Sequence, residues 1–245
     1  MQTQTSAAKL SLSRKLAYGV GDLGANLVFN AVSFYLLYYL TDISLLAASL
    51  AGLVLTLVRL IDAFTDPLIG YLSDRLQSPW GRRRPLIFFG AFPVGIFFYL
   101  LFAGSPVQGQ MPMFFYFLAI YAGFFIAYSV VNVPYSALTP DMTKDFNERT
   151  SLTGYRMAAA IVGTLIAAGA TKALTGLFPT ERGGFAIVAA IYGVVFIVMT
   201  QVVFWGARGF DRSLPRVEKE DLLKLYRSAL ANKPFVLIAV TYILR

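Results

Sequence analysis

Two acidic residues and one basic residue lie inside an apolar stretch that is long enough to cross a bilayer. Arg59, Asp62 and Asp66 follow the spacing i, i+3, i+7, which places their side chains on one face of a helix. A charged side chain at the centre of a membrane helix costs about 2.5–3.5 kcal/mol, so such groups persist where they pair, face water or bind a ligand. Arg59 can act as the structural ion-pair partner of only one carboxylate, and the surplus negative charge predicts a site for Na⁺ or H⁺. The alternative is an Arg–Asp pair that only fixes helix packing.

The composition excludes several other kinds of site. The 245 residues include no cysteine and no histidine, which excludes disulfides, thiolate metal sites, histidine acid–base catalysis and histidine-ligated metals. With 57% hydrophobic and 14% charged residues, the chain is too apolar for a soluble domain. The sequence therefore predicts neither an enzyme nor an organic cofactor. The net charge of +8 is better explained by basic loops beside a membrane than by a nucleic-acid partner.

Apolar runs of about twenty residues match the thickness of the hydrocarbon layer. They predict an all-α membrane protein with a six-transmembrane-helix bundle over residues 17–206. Residues 1–16 are predicted to be a cytoplasmic tail, 207–233 a cytoplasmic amphipathic linker, and 234–245 the start of a seventh, truncated helix. The predicted spans are about 18–40, 45–72, 86–103, 113–138, 157–178 and 185–206, with a charged loop at 141–156.

Basic residues predict the orientation of the bundle. Lys and Arg concentrate in the N-terminal tail, in the loops 73–85 and 141–156, and in the linker. The opposite loops hold Arg182, with Lys172 near the end of a span. By the positive-inside rule the N-terminus is cytoplasmic, in what we expect to be a bacterial inner membrane. Six polar residues then share the inner half of the bilayer and are predicted to face one cavity: Asp22, Asn26, Asp62, Asp66, Asn132 and Arg156.

Several segments occur in an order that is typical of one transporter family. They are Lys15–Asp22, Asp62–Gly70, Trp80–Pro85 and Val133–Leu138, followed by Glu148-Arg149 and Tyr155-Arg156. This combination resembles the glycoside–pentoside–hexuronide:cation symporters, the melibiose-permease-like branch of the major facilitator superfamily. The resemblance covers the six spans and their loops, which correspond to the N-terminal half of such a transporter.

The resemblance implies a cation site and a substrate site. Asp62 and Asp66 match the acidic pair that binds the coupling cation, Na⁺ or H⁺. Thr65 and Ser129 stand where that permease has an Asn and a Thr ligand, so an oxygen is kept at both positions, and oxygen ligands suit hard cations.

The residues implied for the substrate carry hydroxyl, amide and charged groups. Tyr128 and Arg156 match residues that line the sugar pocket. Asn26 and Asn132 replace the two acids that grip the galactoside, and their amides can hydrogen-bond the hydroxyls of a neutral sugar. Asp22 is predicted to act in substrate binding or gating, with a capping or pairing role near the inner surface as the alternative. For Arg156 the alternative is an interfacial anchor.

The predicted function is a cation-coupled symporter for a sugar or glycoside that works by alternating access. The segment Val133–Thr139 with Glu148-Arg149 and Tyr155–Met157 also resembles sodium-dependent lysolipid symporters, which is one alternative. The other is a half-length bundle or scaffold that must dimerise or is inactive alone. The predicted partners are the lipid bilayer, a small-molecule substrate, and either a second six-helix half or a second copy of the chain.

Overall fold

The computed structural model of the chain describes residues 10–210 and 231–232. The chain divides into two units, Met1–Leu214 and Pro215–Arg245. The predicted seventh helix, most of the predicted linker and the first nine residues of the tail lie outside the described residues. The described part of the first unit is helical throughout apart from its connections: α1 Leu12–Tyr38, a π-helical turn Tyr39–Ile43, α2 Ala48–Arg75, α3 Arg84–Ala103, α4 Gln110–Met142, α5 Phe146–Thr175 and α6 Glu181–Gly206.

All six helices are long and apolar enough to cross a membrane. This confirms the predicted all-α, six-span bundle, and the chain is an integral, multi-pass membrane protein. Prolines inside the spans do not end them, because Pro67, Pro93 and Pro134 lie within continuous helices. Neighbouring helices can satisfy the backbone groups that such prolines leave free.

The N-terminus of α5 lies much earlier than the sequence predicts. The charged segment 141–156 was expected to be a loop, but α5 begins at Phe146. Asp145 caps the helix, since its Oδ1 accepts a hydrogen bond of 2.8 Å from the backbone N–H of Glu148. An acidic cap and an acidic residue in the first turn both favour a helix N-terminus. Arg156 therefore lies about three turns inside α5 and not at its start.

The helices pack unevenly around the core. α1 contacts α5 and α6, α3 contacts α4 and α6, and α2 packs against α4. In the most apolar window of α2 and of α5 only 17% of the residues are buried, against 39–50% for the other four helices. α2 and α5 thus leave much of their surface uncovered by the rest of the described bundle. Aromatic rings fill much of the interior, among them Phe98, Phe117, Phe124, Phe185 and Phe196.

The close contact between α1 and α5 depends on glycine. A Cβ atom at Gly163 would lie 2.4 Å from the carbonyl oxygen of Leu23, so only glycine fits without a backbone shift. Close approach of this kind is typical of small residues at membrane helix interfaces. Polar contacts add to it: Asn30 donates to Thr164 Oγ1 at 3.0 Å, and Tyr35 donates to the carbonyl oxygen of Ala168 at 2.7 Å. The polar side chains of α1 and α5 therefore contact each other at fixed positions along the two helix axes.

Candidate functional site

Asp62 of α2 faces α4 and is only partly buried. The Ser129 hydroxyl donates a hydrogen bond of 3.2 Å to Asp62 Oδ1. Thr65, one turn further along α2, donates its hydroxyl to the backbone carbonyl of Asp62 at 3.2 Å. Asp62, Thr65 and Ser129, three of the four residues predicted to hold a cation, therefore lie together, and the Ser129 hydroxyl lies beside the Asp62 carboxylate.

Asp66 and Arg59 lie on the exposed side of α2. Within the described residues, neither side chain forms a hydrogen bond or an ion pair within 4.0 Å. The structure therefore does not contain the ion pair between Arg59 and an acid that the spacing predicts. The order of the charges explains this: side chains on a helix lean towards its N-terminus, so a basic residue that precedes its acid leans away from it.

The oxygen-bearing side chains of α2 and α4 are the ligands on which the predicted cation site depends. Within residues 10–210 and 231–232, no group of three or more His, Cys, Asp or Glu side chains could hold a metal ion. What α2 and α4 do offer is two carboxylates, at Asp62 and Asp66, and two hydroxyls, at Thr65 and Ser129. Oxygen donors with two acidic members suit a hard cation or a proton.

Two of the predicted substrate residues, Tyr128 and Asn132, lie on α4 one turn apart. Both line a cavity of about 10 Å³ between α1, α3, α4 and α6, which has room for at most one water molecule. Among the described residues, neither the Tyr128 hydroxyl nor the Asn132 amide has a hydrogen-bond partner. The small cavity cannot hold a sugar, so a substrate that uses these groups must bind from the side of the bundle that α2 and α5 leave uncovered, which we call the open side.

Asn26 of α1 is partly occupied by its own helix. Its Nδ2 donates to the carbonyl oxygen of Asp22 at 2.8 Å, and Asn30 donates to the carbonyl of Asn26 at 2.9 Å. Side-chain-to-backbone bonds of this i to i−4 kind are common for polar residues within helices. The amide oxygen of Asn26 keeps acceptor capacity, since its one contact is a long bond of 3.4 Å from Asn30.

Asp22 and Arg156 form an ion pair between α1 and α5. Arg156 Nε donates to Asp22 Oδ2 at 2.5 Å and Nη2 donates to Oδ1 at 3.2 Å. This is the two-pronged geometry that makes arginine–carboxylate pairs strong. The side chains are mostly buried, with 13% of Asp22 and 18% of Arg156 exposed. The structure contains the pairing that the sequence left as an alternative for Asp22, and a role of Asp22 in substrate binding or gating stays a prediction.

Three residues that the sequence analysis did not select complete this ion pair, and together with Asp22 and Arg156 we call them the Asp22 cluster. The Tyr135 hydroxyl donates to Asp22 Oδ2 at 2.7 Å, and Arg156 Nη1 donates to Thr139 Oγ1 at 2.7 Å. The guanidinium also lies 4.7 Å from the ring centre of Tyr135 and 5.6 Å from that of Tyr18. The i, i+4 spacings of Tyr18 with Asp22 and of Tyr135 with Thr139 were the signal available in the sequence.

A second ionic cluster ties the ends of α2 and α4 to the loop before α3. Arg83, 8% exposed, donates from Nη2 to Asp74 Oδ1 at 2.9 Å. Its Nη1 contacts both Asp141 Oδ2 and the carbonyl oxygen of Ala137. Arg83 belongs to the basic segment 73–85 that the sequence predicts as a loop, but the loop is shorter than predicted, since α2 continues to Arg75 and α3 begins at Arg84. The Arg83 contacts join the ends of the helices that carry the candidate cation site.

Comparison with known proteins identifies relatives over the whole bundle. Residues 17–245 match the family model described as MFS/sugar transport protein. An uncharacterized symporter from Synechocystis is 43% identical over 171 residues, which cover 68% of this chain and 31% of that protein. A putative glycoside/cation symporter, YagG of Escherichia coli, is 32% identical over 80% of this chain and 43% of its own length.

A solved structure, a peptide transporter of the POT type crystallised with sulfate, shares the fold. It superposes with a TM-score of 0.65 at 16% identity, over 96% of this chain and 47% of that one. This chain therefore spans less than half the length of each of these three proteins.

Proposed function

The chain belongs to the MFS/sugar transport protein family, and we propose that it forms the N-terminal six-helix bundle of a cation-coupled symporter for a sugar or glycoside. The names of the relatives support symport, and YagG is described as a putative glycoside/cation symporter. The coupling cation, Na⁺ or H⁺, binds at Asp62 with Asp66, Thr65 and Ser129. The substrate binds from the open side of the bundle to Asn26, Tyr128, Asn132 and the Asp22 cluster.

One turn of α4 carries this proposal. Ser129 bonds the Asp62 carboxylate at 3.2 Å, while Tyr128 and Asn132, on the same turn, present polar groups without partners among the described residues. A cation that draws Asp62 and Ser129 together changes the position of this turn, and hence of the two substrate groups on it. The coupling is then a difference in substrate affinity between the cation-loaded and the empty state, which is typically 5–150-fold, or about 1–3 kcal/mol.

The cation also decides the net charge of the proposed cation site. Asp62 and Asp66 repel each other when both are ionised, and Arg59 forms no ion pair with them among the described residues. One bound Na⁺ or H⁺ removes the surplus negative charge. Once this site is neutral, the transporter can close around it more readily, because enclosing an unpaired charge in a membrane costs free energy. Closure around a loaded site, followed by opening on the other side, is alternating access.

The open side of the bundle is where the rest of the transporter belongs. α2 exposes Leu53, Leu57, Leu60 and Phe64 by 49%, 37%, 51% and 70%. We propose that a second six-helix bundle, or a second copy of this chain, closes the cavity from that side. We also propose that the N-terminus lies on the cytoplasmic side of a bacterial inner membrane, which the distribution of Lys and Arg supports.

Cation-dependent stabilisation of the purified chain tests this proposal. In nanodiscs, the melting temperature is measured as NaCl replaces choline chloride at constant ionic strength, and separately as the pH is lowered in choline chloride. A ligand that binds only the folded state at 100 times its dissociation constant stabilises that state by about 2.7 kcal/mol. We expect such stabilisation with Na⁺, or with protons if H⁺ is the coupling ion, and we expect Asp62→Asn to abolish it.

Asp42→Asn is the matched control. Asp42 lies in the π-helical turn after α1 and is exposed, so the same chemical change there should leave the response to the cation intact. A wild-type chain that melts at the same temperature under all these conditions would contradict the proposal. So would an Asp62→Asn variant that responds to the cation as the wild type does.

A further inference from the structure

The positive charge at the proposed substrate site is already compensated within the protein. Arg156, the basic residue that is predicted to touch the substrate, already has a full counterion. Its Nε and Nη2 groups bond both oxygens of Asp22 at 2.5 and 3.2 Å, and its Nη1 bonds Thr139 at 2.7 Å. An arginine in a site for an anionic substrate would be expected to keep its two-pronged edge for the ligand.

The faces of the guanidinium are occupied as well as its edge. The rings of Tyr135 and Tyr18 lie 4.7 and 5.6 Å from it, and the Tyr135 hydroxyl holds Asp22 from the other side at 2.7 Å. Five N–H bonds are available on a guanidinium, and the described partners use three of them. Arg156 can therefore still donate to a hydroxyl, but it carries no uncompensated charge with which to attract an anion.

The other described groups of the site offer no surplus positive charge either. Asn26, Tyr128 and Asn132 are neutral. Arg59 is the one further basic side chain among the predicted site residues; it forms no ion pair within 4.0 Å among the described residues, and its charge is outnumbered by the two carboxylates of Asp62 and Asp66. Before the cation binds, the whole set carries one net negative charge, and one Na⁺ or H⁺ brings it to zero. An anionic substrate would be repelled by the empty site and would unbalance the loaded one.

We propose that the substrate is an uncharged polyhydroxyl compound, a neutral sugar or glycoside and not a uronic acid or sulfonate, and that Asp22 sets this preference by neutralising Arg156. This inference rests on the proposed function and narrows its substrate class. Asp22 is a positioning residue here: it acts through Arg156, which it holds against α1 with its charge compensated.

A matched set of ligands tests the preference on the wild-type chain. Methyl glucosides and methyl galactosides are compared with the corresponding methyl glucuronides and galacturonides, which differ only in carrying a carboxylate at C6. Binding to the purified chain in nanodiscs is measured by calorimetry at saturating Na⁺ and at acidic pH. We expect at least one neutral glycoside to bind about tenfold or more tightly than its uronide, the discrimination that about 1.4 kcal/mol supplies. A uronide that binds as tightly as its neutral partner would overturn the proposal.

Removing the counterion tests the role of Asp22. Asp22→Asn should leave Arg156 free to bind anions, so the ratio of neutral to uronide affinity should fall by about tenfold or more. The variant should also become more heat-stable with inorganic sulfate at constant ionic strength, which the wild type should not. The double variant Asp22→Asn/Arg156→Gln should lose the sulfate response, and Asp42→Asn should keep wild-type preferences. An Asp22→Asn variant that folds, as judged by circular dichroism, but shows wild-type selectivity and no sulfate response would overturn the role of Asp22.

The two readouts separate this inference from the proposed function. If no glycoside or uronide binds any variant while sulfate stabilises Asp22→Asn selectively, the sugar class fails but the charge compensation by Asp22 stands. If neutral glycosides bind without regard to Na⁺ or pH, cation coupling fails while the neutral substrate class stands. Should Asp22→Asn not fold, the comparison of neutral and acidic ligands on the wild type still decides the substrate class.

Discussion

Asp22→Asn is expected to lower the free energy of unfolding by about 3–5 kcal/mol, because it leaves a buried guanidinium without its carboxylate. Only 18% of the Arg156 side chain is exposed, so water can replace little of the negative charge and hydrogen bonding that Asp22 supplies. The variant keeps the size of the side chain, so the loss reports charge and hydrogen bonding and not a cavity. Reversible unfolding in a mixed detergent, followed by circular dichroism, measures it.

A double-mutant cycle shows whether the loss comes from the ion pair. Arg156→Gln should also be strongly destabilising, since it leaves Asp22 with the Tyr135 hydroxyl as its remaining described side-chain partner. The double variant Asp22→Asn/Arg156→Gln should be clearly more stable than the sum of the single changes predicts, with a coupling energy of about 0.5–3 kcal/mol. Strictly additive losses would mean that the two residues act independently, contrary to the geometry of the Asp22 cluster.

Arg83→Ala is the second substitution from which we expect a large loss, again about 3–5 kcal/mol, because one buried guanidinium serves two carboxylates and a carbonyl. The Arg83 side chain is 10% exposed and that of Asp141 is 12% exposed, and the contacts join α2, α4 and the loop before α3. Its removal should loosen the end of α2 relative to α4. Hydrogen exchange at the last turns of both helices, followed by mass spectrometry, should show faster exchange there than elsewhere.

The exposed ion pair of Lys172 and Glu181 serves as a comparison for the buried contacts of Arg83. Its side chains are 56% and 41% exposed, and exposed pairs typically contribute about 0–1 kcal/mol. Lys172→Ala should therefore cost less than about 1 kcal/mol in the same assay. If Arg83→Ala cost no more than Lys172→Ala, burial would not be what makes the Arg83 contacts important, and the account of this end of the bundle would be wrong.

The sequence predicts the bundle well, because apolar runs of membrane-spanning length are a strong physical signal. It places the start of α5 wrongly, because charged residues before an apolar run were interpreted as a loop. In the structure Asp145 caps a helix there, and a helix can continue beyond the apolar layer of a membrane. The short-range pattern of cap and first-turn acid was present in the sequence, but the hydropathy of the segment outweighed it in the prediction.

For the candidate site, the contacts between helices are what the sequence alone does not predict. The positions of Asp62 and Ser129 on different helices were related only through the resemblance, and their contact at 3.2 Å depends on how α2 packs on α4. The partner of Asp22 could not be predicted from spacing, because Arg156 lies 134 residues away. The i, i+3 spacing of Arg59 and Asp62 does not establish contact between them, since it ignores the direction in which side chains lean.

The dependence of glycoside affinity on the cation tests the central claim most directly. The dissociation constant of the tightest-binding glycoside is measured in NaCl and in choline chloride, each at pH 6 and pH 8, for the wild type and for Asp62→Asn. We predict that Na⁺ or the lower pH strengthens binding to the wild type by about 5–150-fold, the usual range of coupling between sites, and leaves the affinity of Asp62→Asn unchanged. Equal affinity of the wild type under all four conditions, or the same dependence in Asp62→Asn, would contradict a cation site at Asp62 that is coupled to the substrate.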